Sequence, residues 1–195
     1  MESRTIWAAS GLEVRQQGGR PRIVGRFPYK SLATIADRGK VRKERIMPGA
    51  FDFTLGDETR EVNLLFGHSF DRPIASRRGG SLVLTDTPDA LEFAAEIAPE
   101  LEQVSHVRDA LSMVAAGLVA GVSPGFRVPP KDVVPDAERL DPEPDNPGVF
   151  IRTLSALLLY ELSLVTRPAY EASEAELRAM QTPAHPVRKH RILLP

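Results

Sequence analysis

The chain has 195 residues, of which 42% are hydrophobic and 26% are charged, a balance that predicts one folded domain and excludes wholesale disorder. Its net charge of -1 excludes a global field that would recruit nucleic acid or an anionic membrane, and the absence of cysteine excludes disulfides, thiolate zinc sites and a cysteine nucleophile. The longest apolar run, 113–122, is too short to span a bilayer, and the N-terminus lacks the layout of a signal peptide. We therefore expect neither a membrane nor a specific nucleic acid as a partner, and we expect the protein to stay where it is made.

Short strands separated by Gly, Pro and Asp dominate the first half of the chain. The segment 21–29 predicts a strand that opens the folded part, so residues 1–20 are interpreted as an N-terminal arm. Partly alternating segments predict three antiparallel strands, at 61–66, 81–85 and 91–97. Between Pro99 and Gly117, apolar residues at helix-like intervals predict one amphipathic helix.

The segments that follow the helix alternate between strand and loop patterns. Residues 121–128 are rich in glycine and β-favouring residues and predict a strand that begins close to the end of the helix. Residues 129–147 contain six prolines and six acidic residues without periodicity, which predicts an exposed, flexible loop. The apolar stretch 150–165 then predicts a central strand.

The C-terminal residues have a different character. Ser173 and Glu176 fit a capping box, which predicts a short helix to about Met180. The stretch 183–195 has neither helix nor strand pattern and is interpreted as a tail. The predicted domain therefore covers 21–172, and a short helix and tail follow it.

His68 is the candidate general base among the four histidines. It follows the apolar run 62–66, where the end of a strand would hold an imidazole at the edge of a pocket. The alternative is a structural or surface histidine. His106 falls on the predicted helix, and His185 and His190 lie in the tail. No pair has the spacing of a zinc site, so we predict no metal.

Ser123 is the candidate nucleophile. It is the serine of a Gly-x-Ser-x-Gly pattern, in which small neighbours let a peptide backbone approach closely. A serine hydroxyl is hardly ionised near neutral pH, so a nucleophilic serine needs a partner histidine. The alternative is an ordinary turn serine. The nucleophile elbow of α/β-hydrolases is disfavoured, because here the predicted helix precedes the serine instead of following it.

Glu161 is the candidate third member of a catalytic triad. It is an acid inside the otherwise apolar run 157–165, where a buried carboxylate costs several kcal/mol unless it has a partner. A carboxylate that binds the histidine would fix its tautomer and stabilise the imidazolium. The alternatives are a structural ion pair or a solvent-facing strand residue. Ser163 shares the strand face of Glu161, so it either bonds to Glu161 or is a rival nucleophile.

Six segments along residues 22–172 occur in a specific order and spacing. They are Ile23–Phe27, Glu44–Phe51 with its Pro-Gly-Ala-Phe core, Leu64–His68 with Pro73–Ala75 behind it, the helix before Gly117, Gly121–Phe126 and Glu161–Tyr170. Together they resemble the prohead (capsid maturation) proteases of tailed bacteriophages, which are related in fold to the herpesvirus assemblins. The resemblance implies an α+β fold: a mainly antiparallel β-barrel surrounded by helices, with a Pro/Asp-rich insertion and a disordered C-terminal tail.

The resemblance also implies an activity and its residues. It implies a serine endopeptidase, without a cofactor, that cleaves scaffold protein and major capsid protein inside the procapsid in the bacterial host cytoplasm. His68 would be the general base, Ser123 the nucleophile and Glu161 the group that orients His68. The backbone near Arg167 would help to stabilise the oxyanion. Self-cleavage in the tail is a further hypothesis, and because assemblins act as dimers a homo-oligomer stays open.

Departures from the family pattern keep a second hypothesis open. Gly67 and Ser69 flank His68 where many relatives have Asn and Asp, and Pro124 follows the serine in place of an aliphatic residue. The alternative is therefore a catalytically silent scaffold or assembly factor of the same fold. A binding module with no phage role would require the ordered segments to be a coincidence.

Overall fold

A computed structural model of the chain describes residues 12–37, 40–119, 121–144, 146 and 148–170. This part contains twelve strands and few helices. The strands are β1 (Leu12–Gln17), β2 (Arg20–Pro28), β3 (Ala33–Asp37), β4 (Lys40–Ile46), β5 (Asn63–Phe66), β6 (Ser69–Ser76), β7 (Leu82–Asp86), β8 (Ala90–Glu96), β9 (Gly121–Arg127), β10 (Glu138–Pro142), β11 (Phe150–Leu154) and β12 (Leu158–Val165). The helices are α1 (Asp52–Leu55), α2 (Ser105–Ala115) and a 3₁₀ turn (Pro99–Leu101). None of the helices in these ranges is long and apolar enough to cross a membrane.

The strands form three open sheets of four strands each, with the orders β1-β2-β8-β7, β10-β11-β4-β3 and β6-β5-β12-β9. The prediction of a barrel surrounded by helices is therefore wrong: the fold is mostly sheet, with 48% strand and 12% helix, and no sheet closes. The sheets are also not purely antiparallel, because β11 pairs with β4 and β12 pairs with β5 in parallel. Hydrophobic alternation predicts where strands lie but not which partners they take, so it could not distinguish open sheets from a closed barrel.

The predicted elements of the first half are present. Strands β2, β5, β7 and β8 cover the four strand segments, and the helical segment forms the 3₁₀ turn and α2. The folded part begins earlier than the prediction, however, because β1 pairs with β2 through a tight hairpin at Gly18 and Gly19. Both glycines have a positive φ, as a two-residue type I′ turn requires.

The second half differs in two places. The segment 129–147, predicted as a loop, contains β10, which pairs with β11 along its whole length. The apolar stretch 150–165 is two strands in different sheets, since the chain leaves β11 at Leu154 and enters β12 at Leu158. The capping box at 173–176 and the tail at 183–195 lie outside the described residues.

The core is formed by buried side chains from all three sheets and α2. Near its centre, the ring of Phe27 packs edge-on against Tyr170 at 5.1 Å and Phe51 at 6.5 Å between ring centroids. Strand β12 is an inner strand of the third sheet, and residues 161–164 are buried one after another. Polar groups on β12 are therefore held in a rigid, largely dry setting.

Candidate active site

Strand β12 places two buried polar side chains on one face of the third sheet. Glu161 is 4% exposed and Ser163 is fully buried. Residues two apart on a strand point to the same face. On the antiparallel neighbour β9, Gly125 lies opposite Glu161 and Ser123 lies opposite Ser163, and directly opposed residues share a face. This face of the sheet therefore carries both candidate serines and the candidate acid.

The turn between β5 and β6 presents His68. Phe66 pairs with Ser69, so Gly67 and His68 form a two-residue hairpin turn, and both have a positive φ, 66° and 59°. The hairpin between β1 and β2 has the same two-residue turn but fills it with two glycines. A side chain in this left-handed region costs about 1–2 kcal/mol, so a histidine here is conformationally expensive, which is typical of functional positions.

Two hydrogen bonds to β12 hold His68 in this conformation. Its backbone N–H donates to Ser163 Oγ at 2.9 Å, and its Nδ1 lies 2.7 Å from Glu161 Oε1. Because an ionised carboxylate only accepts, Nδ1 carries the proton in the neutral imidazole, and Nε2 is left as the basic nitrogen. The side chain of His68 is 47% exposed whereas that of Glu161 is 5% exposed. A buried acid thus orients an accessible base.

Ser123 lies on β9, next to this pair. Its partner in the strand register is Ser163, and Cβ atoms of directly opposed residues are about 4.5–5.5 Å apart. Ser123 is 8% exposed, and within the described residues its Oγ makes no hydrogen bond. Its hydroxyl is therefore not committed to a structural role, as a nucleophile that meets its base in the substrate complex requires.

Gly125 makes room for the acid. A Cβ at this position would lie 2.1 Å from Glu161 Oε1 and 2.7 Å from Glu161 Cγ, far inside van der Waals contact. The side chain of Glu161 therefore extends from β12 over β9 at Gly125, where no side chain blocks it, and it meets His68 there. Since the pair lies above Gly125, the imidazole is on the face of the sheet that carries Ser123.

Glu161 has an unusual second oxygen. Its Oε2 is buried and has no hydrogen-bond partner among the described residues. An unpartnered buried carboxylate oxygen lowers stability. Such a cost is typical of a site in which charge serves function instead of stability.

Glu44 is a second buried acid, and in contrast to Glu161 it is held by structural partners. Glu44 is 5% exposed and accepts from Tyr170 Oη and from Arg152, which also binds Glu138. Burial and the bond to Glu44 raise the pKa of Tyr170, and although burial favours the neutral form, the bonds to Glu138 and Glu44 raise the pKa of Arg152. Both carboxylate oxygens of Glu44 therefore have a hydrogen-bond partner.

The hydrogen bond of Tyr170 to Glu44 also fixes the position of the segment that contains Arg167. Pro168 packs beside Gly121 at the start of β9, where a Cβ on the glycine would lie 3.1 Å from the proline ring. Arg167 is exposed just after the end of β12, near the strand that carries Ser123. Its proposed part in oxyanion stabilisation stays a prediction.

The structure brings His68, Ser123 and Glu161 to one face of one sheet. Ser163 does not bond to Glu161: it accepts from the amide of His68, and it is fully buried. The role of Gly125 as a space for Glu161 was missed, because it depends on which residue lies opposite. No group of three or more His, Asp or Glu within the described ranges could hold a metal ion.

A family model described as caudovirus prohead serine protease matches residues 29–186. The chain belongs to this family. The matched range contains the His68 turn, β9 and β12, so the whole candidate site lies within it. Neither the curated proteins nor the solved structures contain a significant match to the chain. Family membership confirms the resemblance seen in the sequence and identifies a serine protease of phage prohead maturation.

Proposed function

We propose that the chain is a serine endopeptidase in which Ser123 is the nucleophile, His68 the general base and Glu161 the group that orients His68. One observation carries the assignment: a buried carboxylate lies 2.7 Å from Nδ1 of an exposed histidine, on the sheet face that holds an uncommitted serine. This is the arrangement that activates a serine hydroxyl, and it is recognised by geometry rather than by sequence order.

The first half of the reaction forms an acyl-enzyme. As Ser123 Oγ attacks the scissile carbonyl carbon, His68 Nε2 takes the hydroxyl proton and the imidazolium is stabilised by Glu161. When the tetrahedral intermediate collapses, the carbon–nitrogen bond breaks and His68 gives the proton to the leaving amine. In the second half, water attacks the ester and gives a proton to His68. When this second intermediate collapses, the bond between the acyl carbon and Ser123 Oγ breaks, His68 returns the proton to Oγ, and the acid product leaves.

The oxyanion of each intermediate needs backbone donors. Pro124, directly after the nucleophile, has no N–H. Strand β9 is at the edge of its sheet, so its outer backbone groups face away from β12. Donors from this edge, together with the backbone near Arg167, would stabilise the oxyanion.

The substrates follow from the family. We infer that the enzyme cleaves scaffold protein and major capsid protein inside the procapsid, within the cytoplasm of the bacterial host. Self-cleavage in the tail after about residue 172 is part of the proposal, since the stretch 183–195 has neither helix nor strand pattern and proteases cut unfolded segments. An intact mass that stays unchanged during prolonged incubation with assembled procapsids would rule out self-cleavage.

The direct test is co-expression with the capsid and scaffold proteins, comparing the native chain with Ser123→Ala by intact-mass analysis. We expect processing of both substrates in the native sample and none in the variant. A fluorophosphonate probe should label the native chain at Ser123 and leave Ser123→Ala unlabelled. Equal processing in both samples would refute Ser123 as the nucleophile, and no processing in either would favour a catalytically silent assembly factor.

Ser163 has a positioning role that can be measured separately. Ser163→Ala removes the acceptor for the His68 amide, so the strained turn relaxes and the imidazole is less well aligned; we expect kcat to fall about 10- to 100-fold while KM changes little. Ser163→Thr keeps the hydroxyl and should recover part of the rate. A complete loss of fluorophosphonate labelling in Ser163→Ala, with labelling retained in Ser123→Ala, would instead make Ser163 the nucleophile.

A further inference from the structure

A cleft of about 560 Å³ opens directly beside the candidate triad. Glu161 and Gly125 form part of its wall, and the rest includes Phe70, Phe126 and Tyr160. Glu161, the acid that orients His68, therefore lies between the reacting groups and a concave surface that contains three aromatic rings. A peptide bound across Ser123 would place neighbouring side chains at this surface.

The two most exposed rings of the cleft are held outward by irregularities in their strands. Phe70 is 64% exposed and Tyr160 is 40% exposed. In β6, the register passes from Ser69 to Pro73 without pairing Phe70, and in β12 Tyr160 is the extra residue of a bulge before Glu161. Bulges redirect side chains and are common next to active sites. The rings are thus presented to solvent by the same strands that position the site.

The aromatic residues are also close in sequence to the candidate catalytic residues. Phe70 follows His68 on β6, Phe126 follows Ser123 on β9, and Tyr160 directly precedes Glu161 on β12. A ring therefore reaches the cleft from each of the three chain segments that carry the triad. This arrangement fixes the position of the cleft relative to the scissile bond.

Charged groups of both signs line the cleft. The Arg127 guanidinium lies over the ring of Tyr160, 5.9 Å from its centroid, and pairs with no carboxylate in the part of the chain that the structure describes. Two carboxylates, those of Glu61 and Glu161, also line the cleft, and within the described residues Glu61 accepts only from the neutral Ser76 hydroxyl and Arg78 amide. The charged groups of the cleft are therefore of both signs and do not select one charge, whereas the aromatic rings favour an apolar side chain.

We propose that this cleft is the specificity pocket of the protease, and that it takes a large apolar side chain of the substrate peptide close to the scissile bond. The proposal rests on the proposed function of the triad and adds the class of side chain that the enzyme selects. It makes Phe70 and Tyr160 determinants of specificity and not of catalysis.

The test is to digest a random-sequence peptide library with the full chain and to identify the products by mass spectrometry. We expect Leu, Met or Phe to be enriched about tenfold over Ala at one position near the cut. In Phe70→Ala/Tyr160→Ala the enrichment should disappear, because kcat/KM for apolar peptides falls about tenfold more than kcat/KM for Ala peptides, through KM. Phe150→Ala, which truncates a ring that is 49% exposed on another sheet, is the matched control.

A binding measurement tests the pocket independently of peptide cleavage. The same library is passed over immobilised Ser123→Ala, and the retained peptides are sequenced with and without the Phe70→Ala/Tyr160→Ala changes. If Ser123→Ala retains apolar peptides and the two pocket changes abolish this retention, the pocket is supported. This holds even if the native chain cleaves nothing, in which case only the proposed protease function fails. Cleavage without apolar enrichment would refute the proposed pocket but not the proposed protease function. Enrichment that persists in Phe70→Ala/Tyr160→Ala would have the same meaning. Neither cleavage nor selective retention overturns both.

Discussion

Gly125→Ala is expected to abolish proteolysis while leaving the protein folded. The new methyl group would occupy the position of the Glu161 carboxylate, 2.1 Å from Oε1. The backbone at Gly125 is not in the left-handed region, and a carboxylate at the end of a flexible side chain moves more easily than a strand. Glu161 therefore swings away from His68 into the neighbouring cleft, and the imidazole loses the partner that fixes its tautomer. We expect kcat to fall about 10³-fold or more, with a loss of about 1–3 kcal/mol in the free energy of unfolding.

The control for this prediction is Gly79→Ala, at a glycine in the turn after β6 whose Cβ would have Ser76 as its nearest neighbour, at 3.2 Å. A double-mutant cycle isolates the mechanism. If Gly125 acts through Glu161, then Gly125→Ala should cost almost no further activity in a Glu161→Ala background, because the carboxylate it displaces is already absent. Independent, multiplicative losses in the double variant would mean that Gly125 serves the substrate or the oxyanion instead. Steady-state kinetics measures kcat, and urea unfolding measures the free energy of unfolding.

The members of the candidate triad could be predicted from the sequence because each carries a local chemical signal. Glu161 is an acid in an apolar run, Ser123 lies between glycines, and His68 follows a strand. The contacts among them depend on strand pairing, which no local pattern encodes. In particular, β12 pairs in parallel with β5, and this pairing brings the turn that holds His68 beside Glu161.

The contacts of Gly125 and Ser163 could not be predicted from the sequence either, because they depend on which residues lie opposite each other in the paired strands. Gly125 was interpreted as space for a peptide backbone, whereas the residue opposite it is Glu161. One signal was available: Gly67 and His68 stand between two strand-like segments, which predicts a two-residue turn with positive φ at both positions. Such a turn would have shown that His68 needs support for its backbone amide.

The error in architecture has a related physical cause. The strand β10 lies in a segment with many prolines and acids, and it is held by pairing with β11 and by the ion pair of Glu138 with Arg152. Both stabilising contacts are tertiary, so the composition of the segment favours a loop while its partners favour a strand. A strand missed in this way changes which sheets form, and with them the choice between a barrel and open sheets.

Glu161→Gln is expected to separate activity from stability. The amide fills nearly the same space but cannot stabilise the imidazolium, and it can hold His68 in the wrong tautomer; we expect kcat to fall about 10²- to 10⁴-fold with little change in KM. Because Oε2 of Glu161 is buried without a partner among the described residues, removing the charge should change the free energy of unfolding by less than about 1 kcal/mol, or raise it.

Glu44→Gln is the matched control, since Glu44 is equally buried but has both carboxylate oxygens bonded, to Tyr170 and Arg152. It should lose about 2 kcal/mol of stability and keep its activity. Glu161→Gln should therefore lose activity and keep its stability, whereas Glu44→Gln should lose stability and keep its activity. Peptide hydrolysis measures the activity and thermal unfolding measures the stability. If Glu161→Gln instead destabilises the protein and remains active, Glu161 is a structural ion-pair partner of His68. The catalytic assignment would then have to pass to a dyad of Ser123 and His68 alone.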